Sequence, residues 1–236
     1  MRLAVNIDHF ATLREARESN EPEPVLVALL AEQAGAEGIV CHIRSDRRHI
    51  KERDLVLLRQ SIKTKLIVEM AATKEMEEIA LEIKPDIVSL VPETPEELTT
   101  EGGLNVIANR DYLGSHIKSL QEAGIKVSIF VDPNTDQIKA CKQLNCNMIE
   151  INTGLYSDLS PGKEQQKALD AVINAAKFGF ESGLKIHAGH GLDYKNIHPI
   201  AAIPEIEEFS IGFSIVARAA IAGIEMAVRD MIALIE

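Results

Sequence analysis

"KLIVEMA", residues 65–71, is the stretch on which the fold turns. Its apolar residues run almost unbroken instead of alternating with polar ones, the pattern of a strand covered on both faces in a parallel sheet. Glu69 lies inside that run, so the same strand carries an ionisable group into apolar surroundings. Seven further runs share the pattern: "LAVNIDH" from Leu3, "GIVCHI" from Gly38, "DIVSLVP" from Asp86, "KVSIFVD" from Lys126, "MIEINTG" from Met148, "KIHAGHG" from Lys185 and "FSIGFSIV" from Phe209.

Segments with helical spacing lie between them. "PVLVALLAEQAG" ends on Gly35 and "DYLGSHIKSLQEAG" on Gly124, both placed as C-terminal caps. "NTDQIKACKQL" opens with Asn134 or Thr135 as N-cap. Shorter helices are expected around Asp54–Ile62 and Lys74–Ile83, a long one over "KEQQKALDAVINAAKFGFESG", and a last one over "ARAAIAGIEMAVRDMIALIE". Eight strands alternating with helices predict an α/β fold of the (β/α)8 type, with an open doubly wound sheet as the alternative. With no linker or composition break, residues 1–236 are expected to form one domain. The longest polar connection, between "LVPE" and Arg110, carries "TTEGG" and reads as a lid with glycine hinges.

Composition narrows the function. The net charge of −11 argues against nucleic-acid binding, which needs a basic face. An anionic substrate would need a local basic pocket. Cys41, Cys141 and Cys146 are odd in number and lack zinc-site spacing, which predicts a reducing compartment. "MRLAVNIDHF" has no signal-peptide core, and no apolar run has membrane-spanning length. A cytoplasmic protein without a membrane partner is expected.

Polar residues gather where the strands end, the active-site face of such barrels. Strand one ends in Asn6, Asp8 and His9, strand two in His42 and Arg44, strand three in Glu69, strand six in Glu150 and Asn152, strand seven in His190. Flanked by "LIV" and "MAA", Glu69 is poorly solvated, which raises a carboxyl pKa and suits acid–base work. A structural ion pair inside the barrel is the other reading, and Glu150 has the same two. His42 is either a core histidine or a base kept neutral by Arg44. "SDRRHIKERD" reads mainly as a solvated face, with His49 a candidate anion contact and Arg47 and Arg48 facing solvent. Arg17 either binds phosphate or faces solvent. Gly189, Gly191 and Gly212 fall in the loops after strands seven and eight, a common phosphate cradle, with His190 held among the glycines.

The pieces "VNIDHFATLREAR", "AEQAGAEGI", "RSDRRHIKERD", "LVPE", "TTEGG", "AGHGL" and "AAIPEIEE" resemble the pyridoxine 5′-phosphate synthase family along essentially the whole chain. The resemblance implies a TIM barrel with additional helices, assembled as a homo-octamer, without metal or organic cofactor. It implies condensation of 1-deoxy-D-xylulose 5-phosphate with 3-amino-2-oxopropyl phosphate to pyridoxine 5′-phosphate, inorganic phosphate and water. His42 and Glu69 would then accept protons, His190 would donate one, and Glu150 would act around the transition state. Asn6, Arg17, Gly191, Gly212 and Phe213 would bind the amino-ketone phosphate. Asp8, His9, Arg44, His49 and Thr99 would bind the xylulose phosphate. Phe213 and Asn152 stand where the family usually has histidine, and the first departure predicts weaker binding of the amino-ketone phosphate.

Two rival readings come from the residues. His9, His42, Glu69, Glu150, His187 and His190 are possible ligands for a metal-dependent barrel hydrolase, although no HEXXH spacing supports it. A non-catalytic phospho-sugar-binding barrel is the other. A Schiff-base aldolase is disfavoured because Lys185 starts its strand. The closing helix is apolar on more than one stripe, which predicts a homo-oligomer.

Overall fold

A computed structural model describes residues 1–93 and 102–236. Its strands are β1 (Arg2–Asn6), β2 (Gly38–His42), β3 (Lys65–Met70), β4 (Ile87–Leu90), β5 (Lys126–Val131), β6 (Met148–Asn152), β7 (Lys185–Gly189) and β8 (Ile206–Ile211). They pair in parallel in chain order, and β8 pairs back onto β1 to close a barrel. The helices are α1 (Asp8–Ala16), α2 (Pro24–Gln33), α3 (Glu52–Ser61), α4 (Lys74–Ile83), α5 (Arg110–Glu122), α6 (Thr135–Gln143), α7 (Gly154–Asp158), α8 (Lys163–Glu181), α9 (Ile197–Ala201), α10 (Phe213–Ala222) and α11 (Ile224–Ile235). This is a TIM barrel with additional helices: β1, β6 and β8 are each followed by two.

The strands' two-residue period sorts the side chains. Leu3, Val5, Ile39, Cys41, Leu66, Val68 and Ile149 point outward into the core beneath the helices. Ala4, Val40, Ile67, Ile87 and Met148 form a separate apolar layer within the barrel. Two residues further along three of those strands, on the same face, stand His42, Glu69 and Glu150. The inward register that buries an apolar layer thus lifts these ionisable groups to the C-terminal mouth.

Three boundaries differ from the sequence expectation. Asp8 and His9 do not end a strand but open α1, one residue after β1. The last strand begins at Ile206, and the "FSIV" taken into it is the first turn of α10. Gly212 separates the two at the N-cap. The closing helix is two helices, broken at Gly223, whose φ of 83° suits glycine. Gly35 and Gly124 follow α2 and α5 with positive φ, and the Asn134 side chain accepts from the Asp136 and Gln137 N–H groups at the start of α6.

Candidate active site

A cavity of about 1020 Å³ opens at the C-terminal mouth of the barrel. Of the predicted site residues, Asn6, Asp8, His9, His42, Arg44, His49, Glu69, Glu150, His190, Gly191, Gly212 and Phe213 all line it. Arg17 does not line it; it caps α1 on the exposed surface. Thr99 and the first half of the expected lid, residues 94–101, lie outside the described residues.

Each side chain has a local reason for its place. Asp8 bridges the first two strands: one carboxylate oxygen accepts the His42 backbone N–H at 2.8 Å, the other the Asn6 amide at 2.9 Å. His49 accepts the Ile50 N–H on Nδ1 at 2.9 Å, which puts the proton of its neutral ring on Nε2. Burial first, with His42, His9 and Arg44 adding to it against Asp8, lowers the His49 pKa. Behind it the buried Arg14 makes a two-pronged bond to Asp54, 2.8 Å on each arm, and donates to the His49 carbonyl at 3.0 Å. That pair ties α1 to α3 and braces the loop after β2.

His190 has a left-handed backbone, φ 79°, rare for a residue with a β-carbon. The Thr153 hydroxyl lies 2.8 Å from the Gly189 carbonyl and 2.6 Å from that of His190. Gly154 leaves room for the ring, since a β-carbon there would lie 2.7 Å from His190 Cδ2. Gly191, φ 73°, packs against Ser157, where a β-carbon would lie 2.6 Å from Cβ.

Burial makes both barrel carboxyls more basic than ordinary carboxylates. Burial pushes Glu69 well above the usual range, with Glu150 and Asp8 adding to the rise. Burial and then the negative charge of Glu208 push Glu150 up to about 8. Desolvation lowers the pKa of His190, so its ring favours the neutral form. Two carboxyls made more basic by burial therefore share one enclosure with imidazoles, the arrangement that stepwise acid–base chemistry needs.

Basic side chains reach the cavity despite the acidic chain, two of them in ion pairs, Arg48 with Asp46 and Arg218 with Asp230. Arg44, Arg48, Lys195 and Arg218 line the cavity, as do the first residues of α10, Phe213 and Ser214. A helix N-terminus offers N–H groups and positive potential to an anion. The Ser214 hydroxyl donates to the Leu192 carbonyl at 2.8 Å and ties the loops after β7 and β8 together.

A sequence profile of the family described as pyridoxal phosphate biosynthesis protein PdxJ matches residues 3–236. The chain belongs to this family. It is 54% identical over 229 residues to the pyridoxine 5′-phosphate synthase of Syntrophotalea carbinolica, covering 97% of this chain and 96% of that protein. It is 53% identical over 235 residues to the enzyme of that name from Geobacter metallireducens, covering 100% and 98%. Family membership makes the chain an enzyme of pyridoxine biosynthesis. Solved structures share the fold at far lower identity. Phosphoribosyl anthranilate isomerase from Thermus thermophilus superposes with a TM-score of 0.63 at 12% identity, covering 99% of this chain and 97% of that one. Thiamine phosphate pyrophosphorylase from Pyrococcus furiosus gives 0.63 at 13%, covering 99% and 95%.

Phe213 and Asn152 have different settings. Phe213 is 71% exposed on the cavity rim, its ring edge-on to His9 with centroids 5.6 Å apart. Asn152 is buried beside the cavity, donating to Asp132 at 2.9 Å and accepting the Gly154 N–H at 2.9 Å. It shapes the turn beneath His190.

Several lining groups lie outside the residues that the motifs single out. Arg48, expected at the solvent face, lines the cavity, while Arg47 pairs with Glu52 and Glu75 outside it. Lys195, Tyr194 and Arg218 line the cavity from positions beyond the strand ends. Of the proposed metal ligands, His187 faces a smaller space inside the barrel, with Glu208 and Ser128. Among the described residues, Asp8, His42 and Glu69 bring their ligand atoms within 4.8 Å of one another and could hold a cation.

Proposed function

We propose that the chain condenses 1-deoxy-D-xylulose 5-phosphate with 3-amino-2-oxopropyl phosphate, forming the pyridoxine 5′-phosphate ring and releasing inorganic phosphate and water. The observation that carries this reading is the convergence of Glu69, Glu150, His42 and His190 on one cavity that also holds four cationic side chains and a helix N-terminus. Amine addition to a ketone, loss of water, loss of phosphate and ring closure each move a proton, so several acid–base groups at separate strand ends are required. Two phosphorylated substrates must also be held side by side, which effective concentration rewards strongly.

In this reading His42 and Glu69 accept protons, His190 donates one, and Glu150 acts around the transition state. Asn6, Gly191, Gly212 and Phe213 hold the amino-ketone phosphate, with backbone N–H groups at the start of α10 meeting its phosphate. Asp8, His9, Arg44 and His49 hold the xylulose phosphate. Arg17 and Thr99 enter on the motif alone. Glu69 combines a raised pKa with a place 3.9 Å from His42 Nδ1, too far for a direct hydrogen bond but close enough for both groups to face one substrate atom.

A homo-octamer and a cytoplasmic location complete the proposal. Ile221, 90% exposed, with Met226, Leu26 and Leu155 gives apolar surface that supports assembly. Cys41, Cys141 and Cys146 are all unbridged and buried, which supports a reducing compartment. No helix among the described residues is long and apolar enough to cross a membrane.

Incubation with both substrates, following pyridoxine 5′-phosphate and inorganic phosphate together, tests the reading. Equal amounts of the two are expected. Phosphate without ring product, dependent on bound metal, would select a hydrolase built on Asp8, His42 and Glu69. Binding without any product would select the phospho-sugar-binding barrel.

A further inference from the structure

We propose that Glu93 is a positioning residue for His42: its carboxylate fixes the imidazole with Nε2–H turned toward the end of β4 and Nδ1 open toward Glu69. The inference rests on the reading of His42 as a proton acceptor.

Glu93 follows β4 by three residues, in "LVPE". Val91 still bonds to the Met70 carbonyl at 3.0 Å, so the chain leaves the barrel beside β3 and runs toward the loop after β2. There both oxygens of Glu93 are engaged. One lies 2.9 Å from His42 Nε2; the other accepts the Ser45 backbone N–H at 3.1 Å and its hydroxyl at 2.7 Å. The Glu93 side chain is 9% exposed, so water competes little for these bonds.

An ionised carboxylate only accepts hydrogen bonds. The second oxygen of Glu93 accepts both the N–H and the hydroxyl of Ser45, the way an ionised carboxylate is held. Nε2 of His42 must therefore carry the proton, and in the neutral ring Nδ1 carries the lone pair. Nδ1 lies 3.9 Å from Glu69 Oε2, a gap in which a substrate proton can be passed to either group. When Nδ1 takes that proton, the imidazolium charge forms directly against Glu93. A carboxylate behind a histidine acts in this way in hydrolytic triads, setting the tautomer and stabilising the cation without taking the proton.

The other charged groups facing His42 do not duplicate this role. Asp8, from the start of α1, binds its backbone N–H and not its ring. His49 presents its ring with centroids 6.2 Å apart, and Arg44 follows two residues on in β2's loop. Glu69, from β3, lies on the open side.

The test pairs imidazole nitrogen NMR of the ligand-free protein at neutral pH with a double-mutant cycle. The native protein is expected to show His42 as the Nε2–H tautomer, and Glu93→Ala a mixture. Glu93→Ala should lower kcat about 100-fold with KM changed less than about 3-fold. Glu93→Gln, which keeps an acceptor oxygen and the packing, should lose about 10-fold. In a His42→Asn background, Glu93→Ala should change the residual kcat by less than about 3-fold, because its effect passes through the ring. An Nδ1–H tautomer in the native protein, or a full 100-fold further loss in that background, overturns the inference. Native-level turnover by His42→Asn alone overturns the proton-acceptor reading instead, while the tautomer measurement, which needs no turnover, still decides the geometry.

Discussion

Glu150 lies over Gly189 so closely that a β-carbon built on the glycine would fall 2.2 Å from Oε1. The same β-carbon would lie 2.9 Å from the Ser210 carbonyl, which cannot yield as a side chain can. Glycine is needed here for space and not for an unusual φ. Gly189→Ala should displace the Glu150 carboxyl, lower kcat about 10- to 100-fold and destabilise the fold by about 1–3 kcal/mol. Steady-state kinetics with a thermal melt checks both parts.

Glu150 also makes a pH prediction. Its folded pKa, about 8, lies above that of an ordinary glutamate. Below the unfolded pKa both states are protonated and the group carries no penalty. As pH rises from about 4.5 to about 8 the unfolded chain ionises first, so stability from this group is lost across that window. Glu150→Gln should therefore raise Tm relative to the native chain more at pH 8 than at pH 5. Melts at the two pH values read the difference directly; an equal gain at both would contradict it.

Thr153 carries the third prediction. Its hydroxyl sits between two carbonyls beneath His190 and holds a backbone that would otherwise relax from φ 79°. Thr153→Val keeps the volume but removes the O–H, and should cost about 1–2 kcal/mol with about a 10-fold loss in kcat. Thr153→Ser should recover most of the rate. Recovery is what separates the hydroxyl's effect from packing.

Phe213 begins α10 at the rim and offers a phosphate no polar side-chain group. Phe213→His should lower KM for the amino-ketone phosphate about 3- to 10-fold with kcat little changed. An unchanged KM would mean that the backbone N–H groups alone set that affinity.

Why some of this was legible in the sequence follows from burial. Barrel strands are covered on both faces, so all eight stand out as apolar runs, the last only from Phe209, and Glu69 and Glu150 stand out as exceptions within them. The beginning of β8 was hidden because Glu207 and Glu208 interrupt its apolar character; Glu208 is buried inside the barrel, where Arg2 donates to it at 2.9 Å and Lys65 and His187 also face it. The α1 helix was hidden because it follows β1 after Ile7 alone, without a side-chain cap to mark it. Arg48 and Glu93 were hidden for a different reason. One lies in a charge run and the other beside a proline, settings that read as surface until the loops are folded over the mouth.

The central claim is that Glu69 moves protons in a cavity that binds two phosphorylated substrates, and Glu69→Gln tests it most directly. The variant keeps the shape of the side chain and removes its proton-accepting charge. Pyridoxine 5′-phosphate formation should fall at least about 100-fold while calorimetry shows both substrates still bound with affinities within about 3-fold of native. A variant that turns over at the native rate would contradict the account.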